Sequence, residues 1–414
     1  MELPQRVDIL KKNKTILYLS PYFWPEEIGS APYCTDVAKW LADKGHYLNV
    51  VSFRPHYPST DQFPGWINGL RDSEKFGNLR IHRLKVVKRL SRNMTDRLRN
   101  DFKFACGVLR LHAVRPLSRA DTVVAYVPSC LSILVGKIVT WRSGARLIGV
   151  VHDIESGLAT SLGISKGKLI LRAMRLVERV AYNSADRIIV LTDNMAAELR
   201  RLGVVVPITV LPIWASLAPR VKLEHRDNPI VMYSGNFGKK QDLSQLLPAI
   251  RKLDRKLPNV QIIFQGDGSE SENIRSKIRT MGVQNTTFVP PISSEQFVKS
   301  LQSAEVHLVP QSVNTSTYAM PSKLISIMAA GRPFVCIAEK GTALHDITEQ
   351  SGAGFCILPD SEADAVYNAI ECLLEKKELG LEMGEKGRQY VKEHMERTTV
   401  LRMYEELIVG SDSP

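Results

Sequence analysis

The sequence predicts two doubly wound α/β domains in tandem, facing a central cleft. Three observations lead to that architecture. Short β-branched runs alternate with amphipathic stretches of helical length throughout, as in parallel strands joined by crossover helices. The series breaks most clearly at LPIWASLAPRVKLEHRDNP, residues 211–229, which holds three prolines and has no periodic apolar face. Finally, 414 residues with 44% hydrophobic and 24% charged residues can bury two or three separate cores, which excludes a disordered chain and a small scaffold held by staples.

In the first half, strands are expected at residues 15–20 (TILYLS), 47–53 (YLNVVSF), 121–127 (DTVVAYV), 145–151 (ARLIGVV) and 186–191 (DRIIVL), with helices between them. In the second, they are expected at 230–235 (IVMYSG), 259–265 (NVQIIFQ), 305–309 (EVHLV), 333–338 (PFVCIA) and 354–358 (GFCIL). No short repeat or low-complexity tract interrupts them. Such a fold serves many chemistries, so function must be sought in a site. Ligands of doubly wound sheets sit beyond the carboxyl ends of the strands, which makes the residues just after each strand the candidates.

Composition narrows the classes. The cysteines (Cys34, Cys106, Cys130, Cys336, Cys356, Cys372) never stand two apart and have mostly apolar or helical neighbours. Buried thiols in a reducing compartment are expected, and a zinc site or disulfide framework is not. MELPQRVDILKKNKTILYLS has charges and only a short apolar run, unlike a secretory signal. The uncharged apolar stretch at residues 122–136 contains Pro128 and falls short of the roughly 18 residues of a membrane span. The formal charge of +12 is uneven: the first 220 residues carry fifteen net positive charges and the remainder three net negative ones. Two domains with different partners are expected from that asymmetry.

Three loops of the second half could hold an anion. After IVMYSG comes NFGKKQDL, in which Gly235, Asn236 and Gly238 are followed by Lys239 and Lys240 and by a helix expected near Asp242. This is either a phosphate cradle or an ordinary glycine turn with solvated lysines. Gly266, Asp267, Gly268 and Ser269 form a tight turn before a helix capped by the Asp or Ser, with a purely structural role as the alternative. The third, MPSKLISIMAAG at 320–331, places Pro321 in a first helical turn, then Ser322, Lys323 and Ser326, and ends the helix at Gly331. Free N–H groups at that helix start, together with Lys323, suit a phosphate or sugar hydroxyls.

Taken in order, YSGNFGKKQ, QGDGSE and MPSKLISIMAAGRPFV resemble the donor-binding domain of the retaining glycosyltransferases of family four, which have the GT-B fold. Within that family the chain most resembles bacterial envelope-polysaccharide enzymes of the colanic-acid and O-antigen N-acetylfucosamine transferase type. SPYFWPEEIGSAPYCTDVAKWLADKGHYLNVVSFRPHYP resembles their opening strand, glycine loop and first helix, and the resemblance covers nearly the whole chain. It implies a Rossmann-like acceptor domain at 1–212, a donor domain at 213–385, and C-terminal helices at 386–414 crossing back to the first domain. It implies further that Gly235, Asn236 and Lys240 meet the donor diphosphate, that the turn from Gly266 through Asp267 to Gly268 borders the base, and that Ser322, Lys323 and Ser326 lie beside the donor. Many members carry two glutamates eight positions apart, the second gripping the ribose; Tyr318 and Ser326 stand at those positions here.

In the first half, ARLIGVV delivers His152, Asp153 and Glu155 to the expected cleft edge, three titratable groups in four residues. Related envelope transferases have a comparable Asp-x-Glu there, so the resemblance implies a catalytic or acceptor-orienting role for Asp153 and Glu155; His152 is catalytic or merely a hydrogen-bonding cleft residue. Gly29 and Ser30 would offer backbone N–H groups to the donor phosphate or the acceptor. The chain has no Asp-x-Asp, and no essential metal is expected. Family membership implies a nucleotide-diphosphate donor, such as a UDP-linked N-acetylated hexosamine (FucNAc or GlcNAc), a polyprenyl-diphosphate-linked acceptor, and retention of anomeric configuration.

Residues 83–119 hold eleven Lys or Arg against Asp96 and Asp101. Leu90, Met94, Leu98, Phe102, Phe104, Val108, Leu109 and Leu111 are expected to offer an apolar surface among them. The segment is therefore expected to lie on an anionic membrane at its cytoplasmic face, the alternative being an exposed helix with a solvated basic side. A nucleotide-sugar epimerase on the same architecture is the second reading of the whole chain; it would need no acceptor surface. Nucleic-acid binding lacks a stacking platform or motif, and a dinucleotide dehydrogenase lacks G-x-G-x-x-G after the first strand.

Overall fold

The computed structural model describes residues 13–410, apart from 28, 57–59, 87–93, 118, 128, 162–167, 221–226, 316, 317, 319 and 321. The strands of the first half are β1 (Thr15–Leu19), β2 (Tyr47–Phe53), β3 (Ser73–Phe76), β4 (Leu79–Leu84), β5 (Thr122–Val127), β6 (Arg146–Val151), β7 (Arg187–Val190) and β8 (Ile208–Val210). Among the described residues they form one sheet in the order β3-β4-β2-β1-β5-β6-β7-β8, parallel except for β3. A second, parallel sheet runs β11-β10-β9-β12-β13-β14. Its strands are β9 (Ile230–Ser234), β10 (Gln261–Gln265), β11 (Thr286–Val289), β12 (Val306–Pro310), β13 (Phe334–Ile337) and β14 (Gly354–Ile357).

The helices of the first half are α1 (Ala31–Asp43), α2 (Pro64–Ile67), α3 (Met94–Val114), α4 (Leu131–Thr140), α5 (Glu155–Ser161), α6 (Lys168–Ser184) and α7 (Asp193–Arg201). Those of the second are α8 (Leu247–Lys256), α9 (Ser271–Thr280), α10 (Ser294–Ser303), α11 (Lys323–Ala329), α12 (Ala343–Ser351), α13 (Ala365–Glu375), α14 (Lys377–His394) and α15 (Arg397–Val409).

All ten expected strands are present, with bounds that agree within two residues. Their apolar runs are continuous because the strands are covered on both faces: β5 (TVVAYV) and β9 (IVMYS) are buried at every position. Four strands were not expected. β3 (SEKF) and β11 (TTFV) are sheet edges with half-exposed residues, β8 is a three-residue edge, and β4 (LRIHRL) carries two arginines. β8 (ITV) and β11 (TTFV) are β-branched but only three and four residues long, and β3 and β4 have charged residues within them. Alternate residues of the first sheet enter two cores. Leu17, Val123, Val151 and Ile188 meet α3, α4 and α7, whereas Ile16, Val124, Ile148 and Ile189 meet α1 and α15.

That last helix belongs to the covering of the first sheet although it follows the second. Thr122 Oγ1 donates to the carbonyl of Ile408 (3.1 Å), Arg146 Nη1 to that of Leu407 (2.9 Å), and Trp40 Nε1 to Glu405 Oε2 (3.0 Å). The turn entering α15 is held by Asp36 of α1, whose Oδ2 accepts from Arg397 Nε (2.7 Å) and from Trp214 Nε1 (2.8 Å). Alongside, α14 lies so close to the second half that a Cβ at Gly384 would stand 2.2 Å from the carbonyl oxygen of Gly331.

The basic segment differs from expectation in its packing. Arg83 is buried on β4, its Nε on Glu74 (2.9 Å) and its Nη2 on the carbonyl of Trp24 (2.8 Å), so it is not a surface cation. Phe104 and Val108 are fully buried against the sheet, and among the described side chains of the named apolar residues on α3, Leu98, Phe102 and Leu109 are exposed. Leu90 and its neighbours at 87–93 lie outside the described residues. Among the described residues, no helix is long and apolar enough to cross a membrane. All six cysteines are free; Cys34 and Cys336 are buried, and the other four only partly so.

Asp36→Ala should lower the unfolding free energy by about 1–3 kcal/mol, because it strips two half-buried donors of their acceptor. Thermal and denaturant unfolding read this directly; an unchanged midpoint would show that water satisfies both donors.

Candidate active site

The site forms where the carboxyl ends of the two sheets approach one another. From the first sheet, the turn after β6 presents His152 and Asp153, and Glu155 is the first residue of α5. The start of α5 is fixed from behind by Glu178 of α6, which is buried. Its Oε1 accepts from the N–H of Ser156 (2.9 Å), its Oε2 from the Ser156 hydroxyl, and the N–H of Glu155 also bonds to this carboxylate. Burial raises the Glu178 carboxyl above the ordinary range, against the pull of these hydrogen bonds. A helix N-terminus thus gains a carboxylate cap from a neighbouring helix instead of from its own sequence.

His152 stacks loosely between the rings of Tyr33 (5.9 Å) and Tyr126 (5.5 Å). Burial pushes its imidazole down to about 4, so the ring is neutral at neutral pH. Such a group can accept or donate one hydrogen bond but is no reservoir of positive charge.

From the second sheet come Lys240 and Lys323, and the structure brings both to the junction. Lys240 Nζ lies 3.0 Å from Asp153 Oδ2, and both side chains are about one-third exposed, 32% and 33%. Lys323, at the first position of α11, lays its ammonium on the face of Tyr233, 3.7 Å from the ring centroid. Its Nζ is buried with no hydrogen-bond partner, and burial pushes its pKa well below the usual lysine value. It also borders Gly235: a Cβ there would stand 3.4 Å from Lys323 Cδ. Ser322 bonds across the junction to the Tyr33 hydroxyl, whose pKa burial pushes up to about 12. Ser326 lies within α11 and its carbonyl accepts from the N–H of Ala330.

The glycine loops prove to be fitted to each other. Gly235, at φ +138°, donates its N–H to the carbonyl of Gln265 (2.9 Å). A Cβ at Gly266 would fall 1.9 Å from the carbonyl oxygen of Gly235, and one at Gly268 would fall 2.6 Å from Asn236 Oδ1. Close approach between the two loops therefore explains these glycines without a ligand. Asp267 Oδ1 accepts from the N–H of Gly268 (2.7 Å) and from the Ser271 hydroxyl (2.5 Å), which closes the turn. Asp267 and Ser269 do not cap α9, as was expected: the residue before that helix is Glu270, and it makes no side-chain cap. The helix expected near Asp242 does begin there, but as a 3₁₀ turn. That residue adopts φ +45° and leads into a single 3₁₀ turn, Leu243–Leu246, before α8. Pro321 lies outside the described residues. Gly29 has φ +69° and open space around its Cβ position, so its dihedral alone requires glycine. Ser30 is buried before α1, and its carbonyl, not its hydroxyl, engages the helix.

Several residues of the junction were not singled out from the sequence. The Tyr318 carbonyl accepts from the N–H of Ile154 (3.3 Å), and its ring lies over Gly157, where a Cβ would stand 2.2 Å from Cδ1. Glu178, Tyr33 and Tyr233 complete the set. Tyr318 drew notice only as the residue in place of an acid. Among the described residues, no group of three His, Cys, Asp or Glu side chains is arranged to hold a metal ion.

Two doubly wound sheets closing on one another, with Lys240 of the second on Asp153 of the first, have the GT-B architecture. Comparisons with known proteins agree. The family model described as glycosyl transferase 4-like domain matches residues 29–214, and that described as glycosyl transferases group 1 matches residues 218–390. The putative colanic acid biosynthesis glycosyl transferase WcaI of Escherichia coli K12 is 24% identical over 410 residues, 94% of this chain and 98% of that protein. Among solved structures, sucrose-phosphate synthase from Thermosynechococcus elongatus superposes with a TM-score of 0.76 at 18% identity, covering 96% of this chain and 100% of the other. Anabaena HepE, in complex with UDP and glucose, gives a TM-score of 0.70 at 15% identity with coverage of 96% and 100%. The two family matches adjoin and together span most of the chain, which is a glycosyltransferase of GT-B fold with a glycosyl transferase 4-like domain at 29–214 and a group 1 domain at 218–390. The epimerase alternative gains no support from these matches.

His152 predicts a pH dependence. An unfolded histidine takes up its proton near 6.5, and the buried one resists until about 4, so its contribution to stability is complete above 6.5 and declines as pH falls to 4. Over that window the advantage of the wild type over His152→Asn should shrink by up to about 1.4 kcal/mol per pH unit. Denaturant titrations at several pH values check this, and a constant gap would contradict it.

Proposed function

We propose that this glycosyltransferase moves a sugar from a nucleotide diphosphate, of which a UDP-linked N-acetylated hexosamine is the favoured form, to a polyprenyl-diphosphate-linked saccharide, with retention of anomeric configuration. Envelope polysaccharide synthesis at the cytoplasmic face of the membrane is the setting. One observation carries the donor assignment: the Lys323 ammonium is buried without a hydrogen-bond partner, against Tyr233 and beside Gly235 at the carboxyl end of β9, a position that an incoming diphosphate would relieve. Relatives support a polysaccharide setting and a UDP-linked donor. WcaI is named for colanic acid synthesis, and the HepE structure holds UDP and glucose.

The chemistry follows from charge. Cleaving the bond between the anomeric carbon and phosphate leaves negative charge on the nucleoside diphosphate and an oxocarbenium-like sugar. Lys323 and Lys240 are fixed cations for that leaving group and need no reorganisation as charge develops. No essential metal ion is required on this reading. Asp153 holds Lys240 in place and, with Glu155, orients the acceptor hydroxyl, whose proton passes to a leaving phosphate oxygen. Neutral His152 serves as a hydrogen-bonding wall of the cleft.

Incubation with a panel of UDP, GDP and TDP sugars and a lipid-diphosphate acceptor tests the proposal, scoring nucleotide release, sugar transfer and the anomeric configuration of the product. Epimerised donor without acceptor-dependent release would overturn it, and inverted product would remove the retaining step. Lys240→Ala and Lys323→Ala should each lower kcat/KM by about a hundredfold or more, with unchanged circular dichroism. Near-normal rates in both would place the phosphate site elsewhere.

A further inference from the structure

The helix that caps the catalytic turn has an outer face that no part of the fold explains. α6 reads KLILRAMRLVERVAYNS, and its inward residues are Glu178, Ala181 and Tyr182. Amphipathic helices of a soluble protein turn their apolar stripe to the core. Here Leu171, Met174, Ala181 and Tyr182 turn inward, but a second apolar row is left outside: Leu169 is 78% exposed, Leu176 61%, and Ile170, Val177 and Val180 are all exposed. Lys168, Arg172, Arg175 and Arg179 run beside them in a second exposed row at the same helical spacing. The sole acid of the helix is Glu178, which points inward. The outer face therefore pairs an apolar ridge with a purely basic one along 17 residues, a rod of about 25 Å.

The neighbourhood continues the pattern. α6 lies beside α4, and α4 beside α3, on the same face of the first sheet. At the far end of α4, Trp141 is 80% exposed next to Arg142, and Ile138 is exposed beside Lys137. Three adjacent helices thus offer exposed apolar residues with cations interspersed.

We propose that the outer face of α6 is a docking surface for an anionic phospholipid bilayer, its leucine and valine row entering the headgroup region and its arginine row meeting lipid phosphates. Charge complementarity favours this occupant over a second copy of the chain. A two-fold contact would bring the same basic row against itself, where like charges repel. The membrane contact expected from residues 83–119 is thereby extended, and its apolar part moves from α3, where Phe104 and Val108 are core residues, to α6. The purpose of docking rests on the reading of a membrane-held acceptor; the docking itself needs neither acceptor nor donor.

The test is flotation of the full chain with vesicles of phosphatidylcholine, with or without phosphatidylglycerol, in the absence of substrates. The wild type should float with the anionic vesicles and keep part of its binding at high salt, because the apolar row is insensitive to screening. Leu176→Gln with Val180→Gln should lower the bound fraction about threefold or more and abolish the salt-resistant part, while Arg172→Gln with Arg175→Gln should act chiefly at low salt. Circular dichroism and the thermal midpoint establish that each variant is folded. Equal binding to neutral vesicles would refute the proposal. So would α6 variants that bind like the wild type, or a concentration-dependent dimer that Leu176→Gln dissolves. Docking without sugar transfer would leave this inference standing and strike only the acceptor assignment, and transfer without docking would do the opposite.

Discussion

Parallel strands must be covered on both faces, because every inter-strand connection crosses over the sheet and no face is left to be a solvated one. That requirement organises this molecule. It explains the unbroken apolar runs of β5 and β9, the helices on both sides of each sheet, and the return of the last helix to the first half. α1 alone leaves much of one face of the first sheet open, and Val400, Leu401, Tyr404 and Ile408 of α15 close it. It also confines chemistry to the strand ends, since polar groups have no place on the faces. His152, Asp153, Lys240 and Lys323 all stand just beyond the strands or at the starts of the helices that follow them.

At the junction, the two lysines occupy different electrostatic positions. Lys240 is partly solvated and neutralised by Asp153; Lys323 is desolvated and offered only the face of Tyr233. A ring quadrupole stabilises a buried ammonium by a kcal/mol or two at most, about 2 kcal/mol, far short of what desolvation takes away. Burial therefore disfavours the charged form of Lys323, which an anion beside it would restore. Glu178 is the complementary case, a buried carboxylate whose demand is met within the fold by the N–H groups of α5.

Much of the fold was legible because buried strands write themselves as apolar runs. The edges were not: β3 and β11 face water on one side, and their sequences carry as much charge and threonine as apolar surface. In the site, the types and neighbourhood of Asp153, Lys240 and Lys323 could be read from position after a strand, but their partners could not. The bond from Lys240 to Asp153 joins residues 87 positions apart, and Tyr318 over Gly157 and Tyr33 with Ser322 likewise join opposite halves. Such contacts depend on how two separately folded sheets meet. Glu178 was hidden differently, as one charge among many on an amphipathic helix, and it shares the inward face with Leu171, Met174 and Ala181. The glycines of the donor loops were read for ligand approach, whereas the geometry shows each loop making room for the other.

The crossing-back of the last helix has a mechanical consequence. The chain passes between the halves twice, near Ala215 on the way out and near Met395 and Glu396 on the way back, and the two passages are joined side by side by the bond from the N–H of Ala215 to the carbonyl of Met395 (3.2 Å). Two adjacent tethers make a door hinge where one would make a swivel. Twisting or sliding of one half against the other would shear that pair, so the double passage helps to hold Lys240 and Asp153 in a single register.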